Sequence, residues 1–260
     1  MALEIDLDGR VVIVTGGGKG VGRGITQKFL EAGADVVICG RSAPEELPSA
    51  GGREALFVEA DVRQVDQIEN VVAAAKDQFG RLDVLINNAG GAPFAEAATA
   101  SPRFTEKIIA LNLVAPIHFA QQANALMQGQ EEGGVIVNIA SVSAQRPSPG
   151  TAAYGAAKAG LLSVTQTLAV EWAPRVRINA VTVGMVKTEK ADLHYGDAAS
   201  LARVEATVPL GRLADPSDVG EACVFLSSPM ATYMSGASLV LHGGGEAPAF
   251  LAAVEEKTGG

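Results

Sequence analysis

A tyrosine and a lysine are spaced for acid–base chemistry in the segment YGAAK, as Tyr154 and Lys158. In a helix this spacing of four places both side chains on one face about a turn apart, so that the ammonium could stabilise a phenolate. A free phenol has a pKa of about 10, so a general acid or base role near neutral pH requires a neighbouring positive charge. Ser141 precedes the tyrosine and would hold a substrate oxygen with its hydroxyl.

These three residues belong to a segment that runs from Val135 to Leu162. It begins as an apolar run that predicts a buried strand ending near residue 141, continues as a loop of Ser, Pro and Gly, and becomes an Ala-rich helix near Thr151. A Tyr-x-x-x-Lys pair alone arises often by chance, with a half-buried tyrosine and a solvated lysine. The rest of the chain must therefore distinguish a structural pair from a catalytic one.

A strand, a glycine turn and a helix are predicted near the start of the chain, as VVIVT at 11–15, GGGKGVGRG and ITQKFLEAG. Glycines there would let backbone amides approach a pyrophosphate at the helix N-terminus, where the dipole favours negative charge. The spacing Thr15-Gly16-x-x-x-Gly20-x-Gly22 has a longer first gap than GxGxxG, and the Gly-Lys-Ser/Thr of a Walker A loop is absent. A dinucleotide site is the prediction, and a simple tight turn is the alternative.

The second strand, DVVICG, ends at Gly40 and Arg41, where a dinucleotide-binding fold places the residue that contacts the adenosine ribose. No Asp or Glu occurs at 37–42 to bind the 2′-hydroxyl of NAD. Arg41, together with Lys19 in the glycine turn, instead offers cations to a 2′-phosphate. We therefore expect NADP(H), with NAD(H) as the alternative cofactor. Both residues could otherwise be solvated surface cations.

Strands and helices alternate along the rest of the chain, without an internal repeat or a linker. Further strands are predicted at 55–59, 84–87, 135–141, 177–183 and 237–244, and further helices at about 64–79, from 101 towards 112, and at 117–127, 152–172 and 216–226. This order predicts an α/β fold, a Rossmann-type doubly wound sheet of seven parallel strands with helices on both faces. We expect the whole chain, 1–260, to form a single dinucleotide-binding domain.

Pro116 interrupts a predicted helix. Proline has no N–H to bond with the carbonyl of Asn112, so an interrupted helix would leave that oxygen to hold a water. The alternative is that Pro116 begins a new helix.

A long irregular region is predicted after the sixth strand, at about 185–209, and a loop of this length is typical of a functional lid. His194 and Tyr195 are candidate substrate contacts there, or merely exposed. The apolar residues of this region favour a hydrophobic substrate, although they could equally serve ordinary packing: Leu193, Leu201, Val204 and Val208.

Composition excludes several classes of protein. The net charge of −9 and the absence of a Lys/Arg cluster argue against nucleic-acid binding. No apolar stretch reaches about 18 residues and no signal peptide is recognisable, so we expect a cytoplasmic protein without a membrane segment. Cys39 and Cys223 lack metal-ligand spacing and are expected to be buried and reduced, and the three histidines are scattered, so no metal site is predicted. The helices at 117–127 and 152–172 are apolar over most of their circumference, which predicts a homo-oligomer, a tetramer or a dimer.

Several motifs in this order together resemble the short-chain dehydrogenase/reductase family over nearly the whole chain. They are TGGGKGVG at 15–22, DV at 61–62, NNAG at 87–90, Asn112, Ser141, YGAAK at 154–158 and VGMVKT at 183–188. One departure is Val183, where the family usually has a proline that fixes the backbone near the cofactor carboxamide.

The resemblance implies a role for each motif residue. Tyr154 would donate or accept the proton, Lys158 would bind the nicotinamide ribose and lower the tyrosine pKa, and Ser141 would orient the substrate oxygen. Asn112 would hold the water of a proton relay. Cofactor contacts are implied for Thr15, Gly16, Lys19, Gly20, Val21, Gly22, Arg41, Asp61, Val62, Asn88, Ala89, Gly90, Tyr154, Lys158, Val186 and Thr188.

The expected activity is hydride transfer between NADP(H) and a small-molecule carbonyl or secondary alcohol. A 3-oxoacyl thioester reductase is a narrower alternative, and the basic residues at 19 and 41 resemble the NADP-preferring branch of the family. A nucleotide-sensing scaffold without catalysis is a further alternative, which the presence of all four reacting positions disfavours. A serine hydrolase built on Ser141 lacks the G-x-S-x-G elbow.

Overall fold

Seven parallel strands form one sheet in the computed structural model, which describes residues 5–189 and 196–247. Along the sheet the order is β5-β2-β1-β6-β7-β8-β9, and every neighbouring pair is parallel. The strands are β1 (Val11–Thr15), β2 (Asp35–Gly40), β5 (Leu56–Glu59), β6 (Val84–Asn87), β7 (Gly134–Ser141), β8 (Val176–Val183) and β9 (Ser238–Leu241). A short antiparallel ribbon, β3 (Ser49–Ala50) and β4 (Arg53–Glu54), was not predicted.

Helices cover both faces of the sheet. They are α1 (Gly20–Glu31), α2 (Val65–Phe79), α3 (Pro102–Ile109), α4 (Ala115–Met127), α5 (Ala152–Glu171), α6 (Ala198–Glu205) and α7 (Pro216–Ser227). One buried cluster joins the sheet to α1 and α7 through residues such as Phe29 and Cys223. The other joins it to α2 and α4 through residues such as Ile68 and Phe119. The doubly wound α/β fold expected from the sequence is confirmed.

The central strands are apolar because both of their faces are buried. All five residues of β1 are buried, as parallel strands under helices on both sides require. β1 and β6 each end in a polar residue, Thr15 and Asn87. Thr15 pairs with Cys39 of β2, and Asn87 pairs with Asn138 inside β7, so these two polar ends lie at the same edge of the sheet. The carboxyl edge of such a sheet is where ligands bind.

The helix around Pro116 widens instead of breaking. A π-helical segment, Ala110–Val114, joins α3 to α4, and the N–H of Ala115 donates to the carbonyl of Ala110, five residues back. Pro116 lies in the first turn of α4, where a missing N–H is tolerated. The wider π-helical turn accommodates Pro116, which has no N–H to donate to a hydrogen bond.

The predicted irregular region at 185–209 is wrong in part, because α6 lies within it. The carboxylate of Asp197 accepts a hydrogen bond from the N–H of Ser200 (2.8 Å) and so begins this helix. Most other predicted bounds agree to within about two residues, but α1 begins five residues earlier than the predicted ITQKFLEAG helix, and α3 and β9 each end three residues earlier than predicted. The capping box of Asp215 and Asp218 begins α7. His194, Tyr195 and Leu193 lie outside the described residues.

No helix in the described part of the chain has the length and apolarity needed to cross a membrane. Cys39 and Cys223 are both buried and unpaired, as expected. Burial raises the pKa of the Cys39 thiol to about 12, and it also raises the pKa of Cys223. Both side chains therefore act as small apolar groups in the core.

Candidate active site

Ser141, Tyr154 and Lys158 meet where β7 passes into α5. Ser141 is the last residue of β7, and the other two lie on the first turns of α5. Between them the chain forms a 3₁₀ turn, Val142–Ala144, whose N–H at Ser143 donates to the Ser141 hydroxyl (3.2 Å). All three side chains line one cavity of about 370 Å³.

Burial governs the protonation of Tyr154. From the sequence we expect Lys158 to lower the pKa of this tyrosine, but in the structure the pKa is raised, because burial outweighs the lowering effect of a hydrogen bond with Ser141. The Lys158 ammonium lies 5.6 Å from the centre of the tyrosine ring. Tyr154 is thus held in its protonated form at neutral pH.

Lys158 is almost completely buried, with 3% of its surface exposed. Its Nζ donates a hydrogen bond to the carbonyl of Ile139 over 2.7 Å. Burial lowers the pKa of Lys158 to about 8, because the charged form loses its hydration. The amine therefore stays mostly charged at pH 7 and becomes neutral in mildly alkaline solution.

Asn112 is fully buried in the π-helical segment and holds the chain that follows β6. Its Nδ2 donates to the carbonyls of Gly91 and Ile108 (3.0 Å each), and its Oδ1 accepts from the N–H of Gly91 (2.8 Å). A Cβ on Gly90 would lie 2.7 Å from that oxygen and 3.3 Å from the Lys158 Nζ. Asn112 and Lys158 are therefore close neighbours, and the relay water expected at Asn112 stays a prediction.

The glycine turn is held against the end of β6. The Oγ1 of Thr15 accepts hydrogen bonds from the N–H groups of Asn88 and Ala89 (2.9 Å each), and the Asn88 Nδ2 donates to the carbonyl of Thr15 (2.9 Å). Thr15 is 2% exposed, so its side chain positions the backbone and does not face the cavity. Gly22 is required here, because a Cβ on it would lie 2.2 Å from the carbonyl oxygen of Gly16.

Most of the predicted cofactor residues share the main cavity with the Ser–Tyr–Lys group. Its predicted lining residues are Gly16, Lys19, Val21, Gly22, Asn88, Ala89, Gly90 and Val186. Val186 is fixed by a β-bridge to Ala214 just before α7. Val183, which replaces the proline of the family, is a buried residue of β8 paired with Ser141, and it also lines this cavity.

Arg41, Asp61 and Val62 line a second cavity of about 260 Å³, which shares Gly16, Ala89 and Gly90 with the first. Lys19 is absent from its lining residues, so the two cations predicted to bind one phosphate border different cavities. Thr188 lines neither cavity, and its Cγ2 lies 3.6 Å from the position of a Cβ on Gly20.

Arg63 was missed in the sequence. It lines the second cavity and forms a two-pronged ion pair with the Asp61 carboxylate, one bond of which is 2.9 Å long. This hydrogen bonding, with a smaller effect of Arg41, lowers the pKa of Asp61 below its ordinary value. The spacing of the two residues, Asp-x-Arg, was a usable signal for the pair.

The residues present fit a nicotinamide dinucleotide. A tight glycine turn at the start of α1 faces the first cavity, and cations border the adjoining one. Both cavities lie at the carboxyl ends of the strands; the tyrosine and serine line the first cavity, and Arg41 lines the second. This is the arrangement expected for a cofactor that spans the sheet edge.

Comparisons with known proteins agree with this geometry. Residues 16–246 match the model of a protein family described as enoyl-(acyl carrier protein) reductase. The chain is 38% identical over 246 residues to the L-rhamnose 1-dehydrogenase (NAD(P)(+)) of Azotobacter vinelandii, covering 90% of this chain and 96% of that one. It is 33% identical over 249 residues to the 3-oxoacyl-[acyl-carrier-protein] reductase of Chlamydia pneumoniae, covering 93% and 99%.

A solved structure is also similar. The ligand-free aldohexose dehydrogenase of Thermoplasma acidophilum superposes with a TM-score of 0.86 at 29% identity, covering 93% of this chain and 96% of the other. The chain therefore belongs to the short-chain dehydrogenase/reductase family, and it is an oxidoreductase of a family that uses nicotinamide cofactors.

Proposed function

We propose that this protein transfers a hydride between NADP(H) and a carbonyl or secondary alcohol, with Tyr154 as general acid and base. The observation that carries this proposal is the convergence of Ser141, Tyr154 and Lys158 on a cavity that the glycine turn also lines. A cofactor bound in that cavity would supply or take up the hydride.

The tyrosine and serine would have different roles at the substrate oxygen. The Ser141 hydroxyl lies at the cavity wall, where it would hold the carbonyl oxygen by a hydrogen bond. Because burial raises the pKa of Tyr154, its phenol is protonated at neutral pH and able to give a proton to that oxygen. The same group would accept the proton when an alcohol is oxidised, and that direction is favoured at higher pH.

Lys158 and Asn112 would complete the proton path. The ammonium is anchored on the Ile139 carbonyl and faces the tyrosine ring. It would bind the nicotinamide ribose and return a proton to Tyr154 after each reduction. Asn112, which approaches the same Gly90 as Lys158, would hold the water through which that proton is replaced.

NADP(H) is the proposed cofactor because positive charge surrounds the second cavity. Arg41 and Arg63 border it with one carboxylate, Asp61, which Arg63 already neutralises. No acidic residue occurs at 37–42 to bind a free 2′-hydroxyl. Excess positive charge at this end favours a 2′-phosphate.

The whole chain would act as a single oxidoreductase domain, with 185–209 as the lid over the substrate. We also propose a cytoplasmic location and a homo-oligomer, a tetramer or a dimer, the latter from the exposed Val170 on α5. The lid contributes the buried Val208 and the half-buried Leu201 and Val204, which favours a hydrophobic substrate.

A 3-oxoacyl thioester reductase is the second candidate, favoured by the similarity over almost the whole of the Chlamydia pneumoniae reductase. A panel of a 3-oxoacyl thioester, an aryl ketone, a cyclic ketone and an aldohexose separates these substrates. A thioester turned over far faster than the rest would establish the narrower activity.

The cofactor proposal is tested by titrating the purified protein with NADPH and, separately, with NADH, following nicotinamide fluorescence. We expect much tighter binding of NADPH. Equal or tighter binding of NADH would make Arg41 and Lys19 surface cations and overturn the choice of cofactor, without touching the tyrosine mechanism. Binding without turnover of any panel compound would instead support a nucleotide-sensing protein.

A further inference from the structure

A carboxylate from the lid lies on the glycine turn. The Oε1 of Glu189 accepts a hydrogen bond from the backbone N–H of Gly20 over 3.1 Å. Gly20 is the first residue of α1, whose first turn contains no acidic residue and whose N-cap, Lys19, makes no side-chain capping bond. Glu189 therefore supplies the negative charge that the N-terminus of this helix favours.

The proposed function places a second anion next to Gly20, because its neighbours Lys19 and Val21 line the first cavity, although Gly20 itself does not. The glycine turn would bind the pyrophosphate of the cofactor through the N–H groups at the start of α1. A carboxylate and a pyrophosphate that both approach this N–H repel each other, because like charges at such a distance interact unfavourably. We propose that Glu189 competes with the cofactor pyrophosphate for the Gly20 N–H and thereby sets the affinity for the cofactor, an inference that rests on the proposed function.

Thr188 and Glu189 lie in ordinary van der Waals contact with the turn. A Cβ on Gly20 would lie 3.6 Å from the Cγ2 of Thr188 and 3.9 Å from the Oε2 of Glu189. Both lid residues therefore pack directly on the turn. A pyrophosphate bound beside this turn would meet the negative charge of Glu189.

Lys187, two residues before Glu189, is connected to α6 and to the residue before Asp215. Lys187 pairs with Glu205 on α6 over 3.3 Å, and its backbone N–H donates to the carbonyl of Ala214 (2.8 Å). A shift at Glu189 is thus next to the residues that connect the lid to α6 and to the start of α7.

The test compares Glu189→Gln with Glu205→Gln, which removes one negative charge from the same lid without touching the glycine turn. Each protein is titrated with NADPH, with inorganic pyrophosphate and with 2′-AMP, which has no pyrophosphate. Charge at a helix terminus is worth enough to predict that Glu189→Gln binds NADPH and pyrophosphate about two- to fivefold more tightly. Binding of 2′-AMP should not change, and Glu205→Gln should match the wild type.

Unchanged or weaker binding of NADPH and pyrophosphate by Glu189→Gln would overturn the competition. An equal gain with 2′-AMP, or in Glu205→Gln, would also overturn it, because the cause would then be the lower net negative charge. If the wild type binds neither NADPH nor NADH, the proposed function fails, and the pyrophosphate titrations alone decide the role of Glu189. A Glu189→Ala variant repeats the comparison without a hydrogen-bonding side chain.

Discussion

At the scale of single residues, burial decides which protons the active site can move. Tyr154 is kept protonated and Lys158 is brought towards neutrality by the loss of hydration. The two changes bring the acidities of phenol and ammonium into an unusual order, in which the ammonium is the stronger acid. In the proposed mechanism, a proton that Tyr154 gives to the substrate would therefore be returned from Lys158 with a favourable free energy.

The lowered pKa of Lys158 has a consequence for stability. Between about pH 8 and the ordinary pKa of 10.5, the unfolded chain binds a proton at Lys158 that the folded chain has lost, so folding stability contributed by this group rises with pH. We expect the wild type to gain up to about 3 kcal/mol relative to Lys158→Met between pH 8 and 10, at about 1.36 kcal/mol per pKa unit.

Urea unfolding of both proteins across this pH range measures that difference. The buried Cys39 and Cys223, whose pKa values are raised, lower the stability of both proteins alike as pH rises above their ordinary values. The contributions of the two cysteines therefore cancel in the difference between the wild type and Lys158→Met. Parallel curves for the two proteins would mean that the Lys158 amine has an ordinary pKa in the folded state.

Arg41 carries the proposed choice between the two cofactors. Because a hydrogen bond to a charged group contributes about 1.5–3 kcal/mol, Arg41→Ala should weaken NADPH binding by about tenfold or more and leave NADH binding nearly unchanged. Lys19→Ala is the comparison, since Lys19 borders the other cavity. Fluorescence titration measures all four affinities. An equal loss of NADPH and NADH affinity in Arg41→Ala would show that this guanidinium does not contact the 2′-phosphate.

At the scale of elements, close packing of α1 on α7 fixes the helix that carries the glycine turn. A Cβ on Gly24 would lie 2.4 Å from the carbonyl carbon of Pro216, and one on Gly220 would lie 2.8 Å from the carbonyl oxygen of Gly24. We expect Gly24→Ala to lower the free energy of unfolding by about 1–3 kcal/mol, because the helices must separate.

Gly129→Ala is the matched control, since its nearest neighbour to a new Cβ is the Leu126 carbonyl at 3.5 Å and Gly129 is exposed. Urea denaturation should place this variant within about 0.5 kcal/mol of the wild type. A Gly24→Ala protein as stable as the control would mean that α1 and α7 move apart without cost.

The strands and their polar ends were predictable, because buried parallel strands read as unbroken apolar runs and the polar residues follow them directly. The π-helical segment could not be predicted from the sequence. Proline excludes one hydrogen bond, but the sequence does not show whether the helix then breaks or widens, and Asn112 in this segment bonds to Gly91, which is 21 residues away in the chain. The helix α6 was missed because it spans only eight residues, although Asp197 is a good N-cap.

In the candidate site, too, local sequence patterns could be predicted and contacts between distant residues could not. The Tyr154–Lys158 pair and the glycine turn were local patterns, and the structure brings both to one cavity. Glu189 and Gly20 are 169 residues apart, so no local pattern indicates their contact. The direction of the Tyr154 pKa was also misjudged, since burial cannot be read from the spacing of a tyrosine and a lysine.

At the scale of the whole molecule, one outer helix face still carries exposed apolar surface. Val170 on α5 is 81% exposed. If α5 packs against a second copy, Val170→Glu should place a charge in that interface and shift the protein to smaller assemblies. Analytical ultracentrifugation measures the change, with Val65→Glu on α2, 41% exposed, as the control. An unchanged mass for Val170→Glu would locate the contact elsewhere or show a monomer.

The most direct test of the proposed activity is the rate of NADPH oxidation by Tyr154→Phe with the best carbonyl compound of the panel. Loss of the phenolic proton should lower the rate by at least about a hundredfold. The affinity for NADPH, measured by fluorescence on the same preparation, should stay within about twofold, because the ring still packs at the cavity wall. Turnover retained at the wild-type rate would contradict the assignment of Tyr154 as the general acid.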